Sequence, residues 1–243
     1  MNRTAHEQLD TLRSEALALG AMLVASIPRA TAILLDQDME GAGYQILADD
    51  EYDARSLRLE DAAIALMALH APVAGQLRHA VLLMKISAEL ERSADLVTNL
   101  CKVARKILGH RIDPSLAALV NRMGHQAEIQ MREAMAAYEE QDLARARGVE
   151  DLDVHLDALQ KEFMKTIFEV NSTDGVEVGL GVQCAMMARF FERIGDHAVN
   201  IAHLVEFQIS GEKPPSGDHR RGGRGDDLTP IAGMVRPTGE QSS

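Results

Sequence analysis

The sequence predicts an all-α protein built as two tandem three-helix bundles, and three observations carry that expectation. Aromatic residues make up only 3% of the 243 residues and Trp is absent, while Ala, Leu, Met, Arg and Glu dominate, the palette of helices packed on helices. Apolar residues recur at three- and four-residue spacing along most of the chain. One phrase also occurs twice: Leu90-Glu91-Arg92-Ser93-Ala94-Asp95 returns as Phe191-Glu192-Arg193-Ile194-Gly195-Asp196. Asn99 and Asn200 follow in the same register, so both features repeat at a spacing of 101 residues. Repetition at a fixed period is the mark of a duplicated unit.

Leu9, Leu12, Ala16, Leu19, Leu23 and Ile27 give the first helix, from about Thr4 to the mid-thirties, with Pro28 as a kink. A second helix begins near Asp38, carries Ile46, Leu47, Leu57, Ile64 and Met67 as its apolar positions, and ends at His70-Ala71-Pro72 because the residue before proline resists the α conformation. The third opens at Pro72 or Val73 and runs through Leu82, Ile86, Leu90 and Val97 to Leu108-Gly109. Asp113-Pro114, a cap followed by a first-turn proline, restarts the cycle with a helix through Leu116, Val120, Met123, Ala127 and Met131 to about Tyr138. Asp142 caps a fifth helix carrying Val149, Leu152, Leu156, Leu159, Phe163 and Ile167. The polar cluster from Asn171 to Gly175 reads as a turn, and a sixth helix continues to about Ser210-Gly211. The expected units are therefore residues 3–109, residues 112–212 and a disordered tail over 213–243. That tail holds Pro214-Pro215 and an Arg/Gly-rich stretch and has no apolar period.

A formal net charge of −12 argues against nucleic acid and anionic lipid as partners. Cys101 and Cys184 lie on apolar stretches without a Cys-x-x-Cys partner, as buried thiols of a reducing cytosol do. The apolar run from Ala16 to Ile27 follows Glu7, Asp10 and Glu15 where a secretory segment needs positive charge, and it is too short to span a bilayer, so it reads as the buried face of a long helix.

The repeated phrase places Glu91 with Asp95, and Glu192 with Asp196, one helical turn apart on one face, roughly 6 Å apart at Cβ. The preceding helix of each half carries a second pair, Asp49 with Asp53 and Asp153 with Asp157. Neighbouring helices about 8–10 Å apart can bring two such pairs into one volume. Four carboxylates there repel one another unless a cation joins them or some take up protons, and oxygen-only sets suit hard cations or bridged iron, manganese or zinc. The competing reading is a solvated acidic helix face with Arg92 and Arg193 as ordinary surface partners. None of the nine histidines has Glu three residues before it, which excludes the di-iron ligand pattern of ferritin-like bundles. His155 and His197 flank the second set and read as surface or packed imidazoles. No nucleophile with a base, no phosphate-cradling loop and no His-Glu-x-x-His is present, so no catalytic apparatus is legible.

With these residues in place, positions from about Arg3 to Glu212 resemble the PhoU family. The resemblance is carried by Asp49 to Asp53 followed by Leu59-Glu60, by Ala71-Pro72-Val73-Ala74 leading to Leu77-Arg78, by Leu90 to Asp95, and by Phe191 to Ile201. The close Val205-Glu206-Phe207 with Ser210-Gly211-Glu212 is similar as well. The resemblance implies two related three-helix bundles, each able to hold a multinuclear iron or zinc cluster. The implied ligands are Asp49, Asp53, Glu91 and Asp95 in one half, and Asp153, Asp157, Glu192 and Asp196 in the other. Gln76 stands where the family often has Asp, and Ser93-Ala94 replaces Ile-Gly, so the second set follows the family pattern more closely. The resemblance further implies a cytoplasmic, non-catalytic homodimer with no organic cofactor. Such a protein links a high-affinity ATP-binding-cassette phosphate transporter to a membrane sensor kinase and keeps the phosphate-starvation response off when phosphate is plentiful. From a different class, the clustered carboxylates also suit a metal-dependent enzyme or a metal-storage bundle.

Overall fold

The structure is a computed structural model that describes residues 4–174 and 178–212. Among the described residues all regular structure is helical: α1 (Ala5–Asp36), α2 (Met39–Leu47), α3 (Asp49–His70), α4 (Gly75–Lys106), α5 (Pro114–Glu140), α6 (Leu143–Asp174) and α7 (Val178–Ser210). The tail expected over 213–243 lies outside the described residues.

Local chemistry sets most boundaries. Thr4 and Glu7 form a reciprocal capping box at the start of α1, and Pro28 leaves that helix unbroken. α1 and α5 both end on a left-handed Gln, Gln37 at φ 52° and Gln141 at φ 54°. In each case the next residue is an Asp whose side chain caps the following helix: Asp38 accepts from the Gly41 amide, and Asp142 from those of Ala144 and Arg145. The Gln-Asp turn thus repeats at a spacing of 104 residues, whereas the third helices repeat at 101. Between those equivalent positions the second half is therefore three residues shorter than the first.

Four expectations are corrected. The second helix is broken at Ala48, where the Glu51 amide bonds the Ala48 carbonyl, one residue short of helical register. The break turns the acidic run Asp49-Asp50-Glu51 into the first turn of α3, where the helix dipole favours negative charge. Its counterpart α6 has no such run and is continuous to Asp174, so Asn171 to Asp174 are helical and not a turn. Nor is Pro72 in a first helical turn: Ala71 and Ala74 have φ of 43° and 48°, and α4 starts at Gly75. The core face of α3 differs too. Tyr52, Leu59, Ala63 and Leu66 are buried, while Leu47, Leu57 and Ile64 face solvent.

α1, α3 and α4 pack together, as do α5, α6 and α7, and the two groups join through α1 on α5 and α4 on α7. α3, α4, α7 and α6 therefore lie side by side in one layer. α1 covers the α3/α4 trough from behind, and α5 covers that of α6/α7. α4, with neighbours on three sides, is buried around most of its circumference. By length and composition α1 is apolar enough to cross a membrane, a stretch longer than the sequence run suggests, but half of that stretch is buried inside the bundles. Cys101 and Cys184 are buried free thiols, pushed by burial up to about 12 and about 11.

The α1/α5 contact is two-fold in its details. A Cβ on Gly20 would fall 2.4 Å from Met135 Cε, and one on Gly124 would fall 2.2 Å from Thr31 Oγ1. Gly124 repeats Gly20, and Met135 repeats Thr31, both at the 104-residue spacing. The two clashes differ in kind, because the end of Met135 can swing aside while β-branched Thr31 cannot. Gly124→Ala should therefore lower stability by about 1–3 kcal/mol, and Thr31→Ala should restore much of it. Gly20→Ala should stay near neutral, since movement of Met135 is offset by about 1 kcal/mol of helix propensity. Urea unfolding of the three variants checks the order.

Candidate metal centres

The first acidic set forms where α3 and α4 run antiparallel. Their register is pinned by the Ser56 and Ser87 hydroxyls, 2.8 Å apart, and by Thr98 Oγ1 donating to Asp49 Oδ1 at 3.0 Å. Asp49 and Asp53 then face Glu91 and Asp95. Burial pushes the Asp49 carboxyl up; the Thr98 hydrogen bond opposes this, and repulsion from Asp95 and Asp53 adds to it. Glu91 is pushed up by burial, then by Asp95 and Asp53, with Arg92 pulling the other way and Asp49 adding to the rise. All four carboxylates thus share one electrostatic volume, with Asp53 and Asp95 on its exposed side.

The second set is built more tightly. A Cβ on Gly195 would lie 2.6 Å from Leu156 Cδ2, 2.9 Å from Gln130 Oε1 and 3.1 Å from Asp153 Oδ1, so α6 closes directly onto the α7 backbone. This brings Asp153 to the turn of α7 that carries Glu192 and Asp196. Asp157 follows one turn along α6, and both it and Asp196 are half-buried. Protein partners occupy much of this set: Gln130 Nε2 donates to Asp153 Oδ1 at 2.9 Å, and Arg189 Nη1 bonds Glu192, which is 2% exposed. In the first half Ala94 answers to Gly195 and Ser26 to Gln130.

The donor chemistry of both sets fits a hard cation, and the repulsion on Asp49 and Glu91 is what such an ion relieves. Among the described residues, however, no three His, Cys, Asp or Glu side chains converge closely enough to grip an ion as they stand. These are open acidic troughs whose side chains must rotate inward to close. His155 is exposed and uses Nδ1 on the Asp151 carbonyl.

Sequence reasoning missed a polar cluster at the α4/α7 seam. Glu89 Oε2 lies 2.6 Å from His197 Nδ1 and 3.1 Å from Asn200 Nδ2, and Arg92 Nη1 donates to Glu89 Oε1 at 3.0 Å. Burial works to raise the Glu89 carboxyl, but the hydrogen bonds from His197 and Asn200, with Arg92 beside them, outweigh it and hold the group below its usual range. The signal was a mismatch between the repeats, for Phe190 answers to Glu89 and Leu96 to His197.

Comparison with known proteins agrees with this architecture. Residues 17–104 and 120–205 each match the PhoU domain. A phosphate-specific transport system accessory protein PhoU homolog from Caulobacter vibrioides is 31% identical over 213 residues, covering 85% of this chain and 90% of that protein. PhoU homolog 2 of Mycobacterium tuberculosis is 31% identical over 215 residues, covering 87% and 100%. The crystal structure of PhoU from Pseudomonas aeruginosa superposes with a TM-score of 0.82 at 25% identity, covering 86% of this chain and 100% of that one. The phosphate transport system regulatory protein PhoU from Streptococcus pneumoniae shares the fold, with a TM-score of 0.80 at 21% identity, covering 87% and 100%. The chain belongs to the PhoU family, whose named relatives here are accessory proteins of phosphate-specific transport.

Proposed function

We propose that this chain regulates phosphate uptake as a cytoplasmic, non-catalytic adaptor between a high-affinity ATP-binding-cassette phosphate transporter and a membrane sensor kinase, holding the phosphate-starvation response off while phosphate is plentiful. The observation that carries this reading is the match of both halves, in order, to one domain of the PhoU family. A body of long helices locked by two seams suits docking, which needs shape and charge and no chemistry. We include in the proposal a homodimeric assembly and cation binding by the two acidic sets. Asp49, Asp53, Glu91 and Asp95 would hold iron or zinc in one trough, and Asp153, Asp157, Glu192 and Asp196 in the other. A bound cation supplies charge neutralisation and a cross-link between neighbouring helices. The second reading, metal storage or metal-dependent catalysis, draws on the same eight carboxylates, and oxidase and phosphatase assays of the metal-loaded protein decide between the two.

Deletion should leave phosphate-starvation genes expressed in phosphate-rich medium, and reporter expression unchanged from the parent strain would refute the adaptor role. For the acidic sets, elemental analysis of protein purified without chelator should show iron or zinc, of which the share held by the second trough is lost when Glu192 and Asp196 are both changed to Ala. Equal metal in wild type and variant counts against this assignment.

The repulsion in the first set gives a sign test. Asp49 and Glu91 have raised carboxyls, so at neutral pH their repulsion is fully present, and it is relieved as pH falls through the raised values. In chelator, the contribution of these groups to stability should therefore rise as pH falls from neutral through the raised carboxyl range. Asp95→Asn should flatten that rise and stabilise the cation-free protein by about 0.3 kcal/mol at pH 7. The same change should weaken zinc binding roughly tenfold or more. Urea unfolding with and without zinc reads both effects.

A further inference from the structure

The groove between α1 and α3 is open where its counterpart between α5 and α6 is filled. In the second half Leu119 on α5 and Leu159 and Phe163 on α6 are buried in the groove, and Arg122 Nη1 reaches across it to Glu162 at 3.5 Å. All four helices obey the 104-residue spacing, so the equivalent positions of the first half follow directly. Glu15, Arg55 and the smaller Leu59 replace the three fillers, and Ala18 and Arg58 replace the ion pair. Each of these changes takes apolar filling or a cross-link away from the same place, and α3 packs on α1 less closely than α6 does on α5. What remains is a cleft of about 820 Å³ with Leu12, Leu19, Leu59 and Ala62 as its floor. Glu15, Arg55, Arg58 and Asp61 form its rim. An apolar floor with a few charged groups converging on it is the form of a small-ligand site.

We infer that this cleft binds a net-neutral zwitterion with an apolar body, of the amino-acid or short-peptide kind. Its carboxylate meets Arg58, its ammonium lies between Glu15 and Asp61, and its side chains rest on Leu12, Leu19 and Leu59. The charges of the rim select this class. Arg55 is already held by Glu51 on its own helix, at 2.8 Å, whereas Glu15, Arg58 and Asp61 have no ion pair or hydrogen bond among the described residues. The unmatched charges are thus of both signs. A multiply charged anion meets two carboxylates and a chain of net charge −12, and a simple organic cation meets Arg58. A zwitterion satisfies both signs at once. Arg58 and Asp61 stand about 4.5 Å apart along α3, and a two-residue peptide spans at most about 7 Å, so the ends of such a ligand match the rim. Gln8 Nε2 donates to His70 Nε2 at 3.1 Å across the groove beyond Leu12 and Ala62, which suits a short ligand. Occupancy ties α1 to α3, as the Leu119, Leu159 and Phe163 side chains tie α5 to α6. This site stands apart from the adaptor reading and does not depend on it.

Isothermal titration calorimetry of the full chain tests this with four probes: phenylalanine, the dipeptide phenylalanyl-leucine, the same dipeptide blocked by N-acetyl and C-amide groups, and inorganic phosphate. At least one of the two zwitterions should bind with a dissociation constant below about 1 mM, and the tighter of them tells amino acid from peptide. The blocked dipeptide and phosphate should bind at least about tenfold more weakly, since each lacks one of the charge-assisted contacts. Arg58→Ala, and Glu15→Gln with Asp61→Asn, should each weaken the zwitterion about tenfold or more while leaving the thermal unfolding of the free chain unchanged. The triple change Glu15→Leu, Arg55→Leu and Leu59→Phe installs the fillers of the second half. It should abolish binding and raise the unfolding temperature of the free chain, as ligand does for wild type. Should the triple variant fail to fold, the rim variants decide alone. Neither zwitterion binding to wild type, the blocked dipeptide or phosphate binding as tightly as the zwitterions, or the rim variants binding as wild type does, each overturns the inference. Because the readout is binding by the purified chain, any of these results leaves the adaptor reading untouched.

Discussion

The rest of the molecule depends on the dry contact between its two halves. A three-helix bundle of this length would leave apolar side chains of α1 and α4 in water, and the second bundle covers them: α1 lies on α5 and α4 on α7. Leu82, Leu96 and Val103 are buried on α4 although other residues of that helix already face α1 and α3. Burying a Leu or Val completely contributes about 1.5–3 kcal/mol, so the joint is a continuation of the core and not a docking of finished domains. The close approach at α1/α5 needs Gly124 against Thr31, and it fixes the relation between the two acidic troughs. Because α4 and α7 are held side by side, both troughs open on the same four-helix layer.

Duplication explains why the joint repeats itself in detail, and divergence explains where the halves part. The Gln37-Asp38 and Gln141-Asp142 turns, the Gly20/Met135 and Gly124/Thr31 contacts and the carboxylates of α3 and α6 all repeat at 104 residues, and the carboxylates of α4 and α7 at 101. Where partners across a two-fold seam meet, a substitution in one half need be answered only once. The contact of Glu89 with His197 and Asn200 has no mirror image, because Phe190 and Leu96 fill the equivalent place. A half-buried carboxylate is tolerated there because two donors and Arg92 meet it, and removing one of them would leave charge less compensated in the seam.

Much of this was legible in the sequence because it rests on local rules. Caps at Thr4, Asp113 and Asp142, the period of apolar residues in α1 and α4 to α6, and the repeated acidic phrase each need only a few neighbouring residues to read. What failed depended on tertiary context. The apolar residues of α3 gave two competing stripes, and only packing against α1 and α4 selects Tyr52, Leu59 and Leu66 over Leu57 and Ile64. The break at Ala48 arises from the placement of three acids and carries no Gly or Pro at the site to announce it. The second spacing of 104 residues was hidden because the phrase chosen to define the repeat lies after the three-residue deletion. Repulsion couples the carboxylates of the first set, yet among the described residues no three of them converge closely enough to grip an ion, while the side chains that hold the second set, Gln130 and Arg189, gave no motif to find.

That difference makes the two troughs chemically unequal despite their common origin. In the first, the carboxylates are partly solvated and repel one another, so an arriving cation removes a penalty and displaces little besides water. In the second, Glu192 is buried against Arg189, and Asp153 is held by Gln130. A cation there must displace at least one charge-assisted hydrogen bond, worth about 1.5–3 kcal/mol, and leave the released donors another partner. Arg189 can swing outward, being half exposed, but Gln130 is fully buried and can only turn in place. Gly195 sharpens the contrast, since the close α6/α7 approach that makes the second trough resemble its family most closely also leaves it the least room to rearrange. Similarity of sequence at the ligands and readiness to take up an ion therefore point to different halves of the protein.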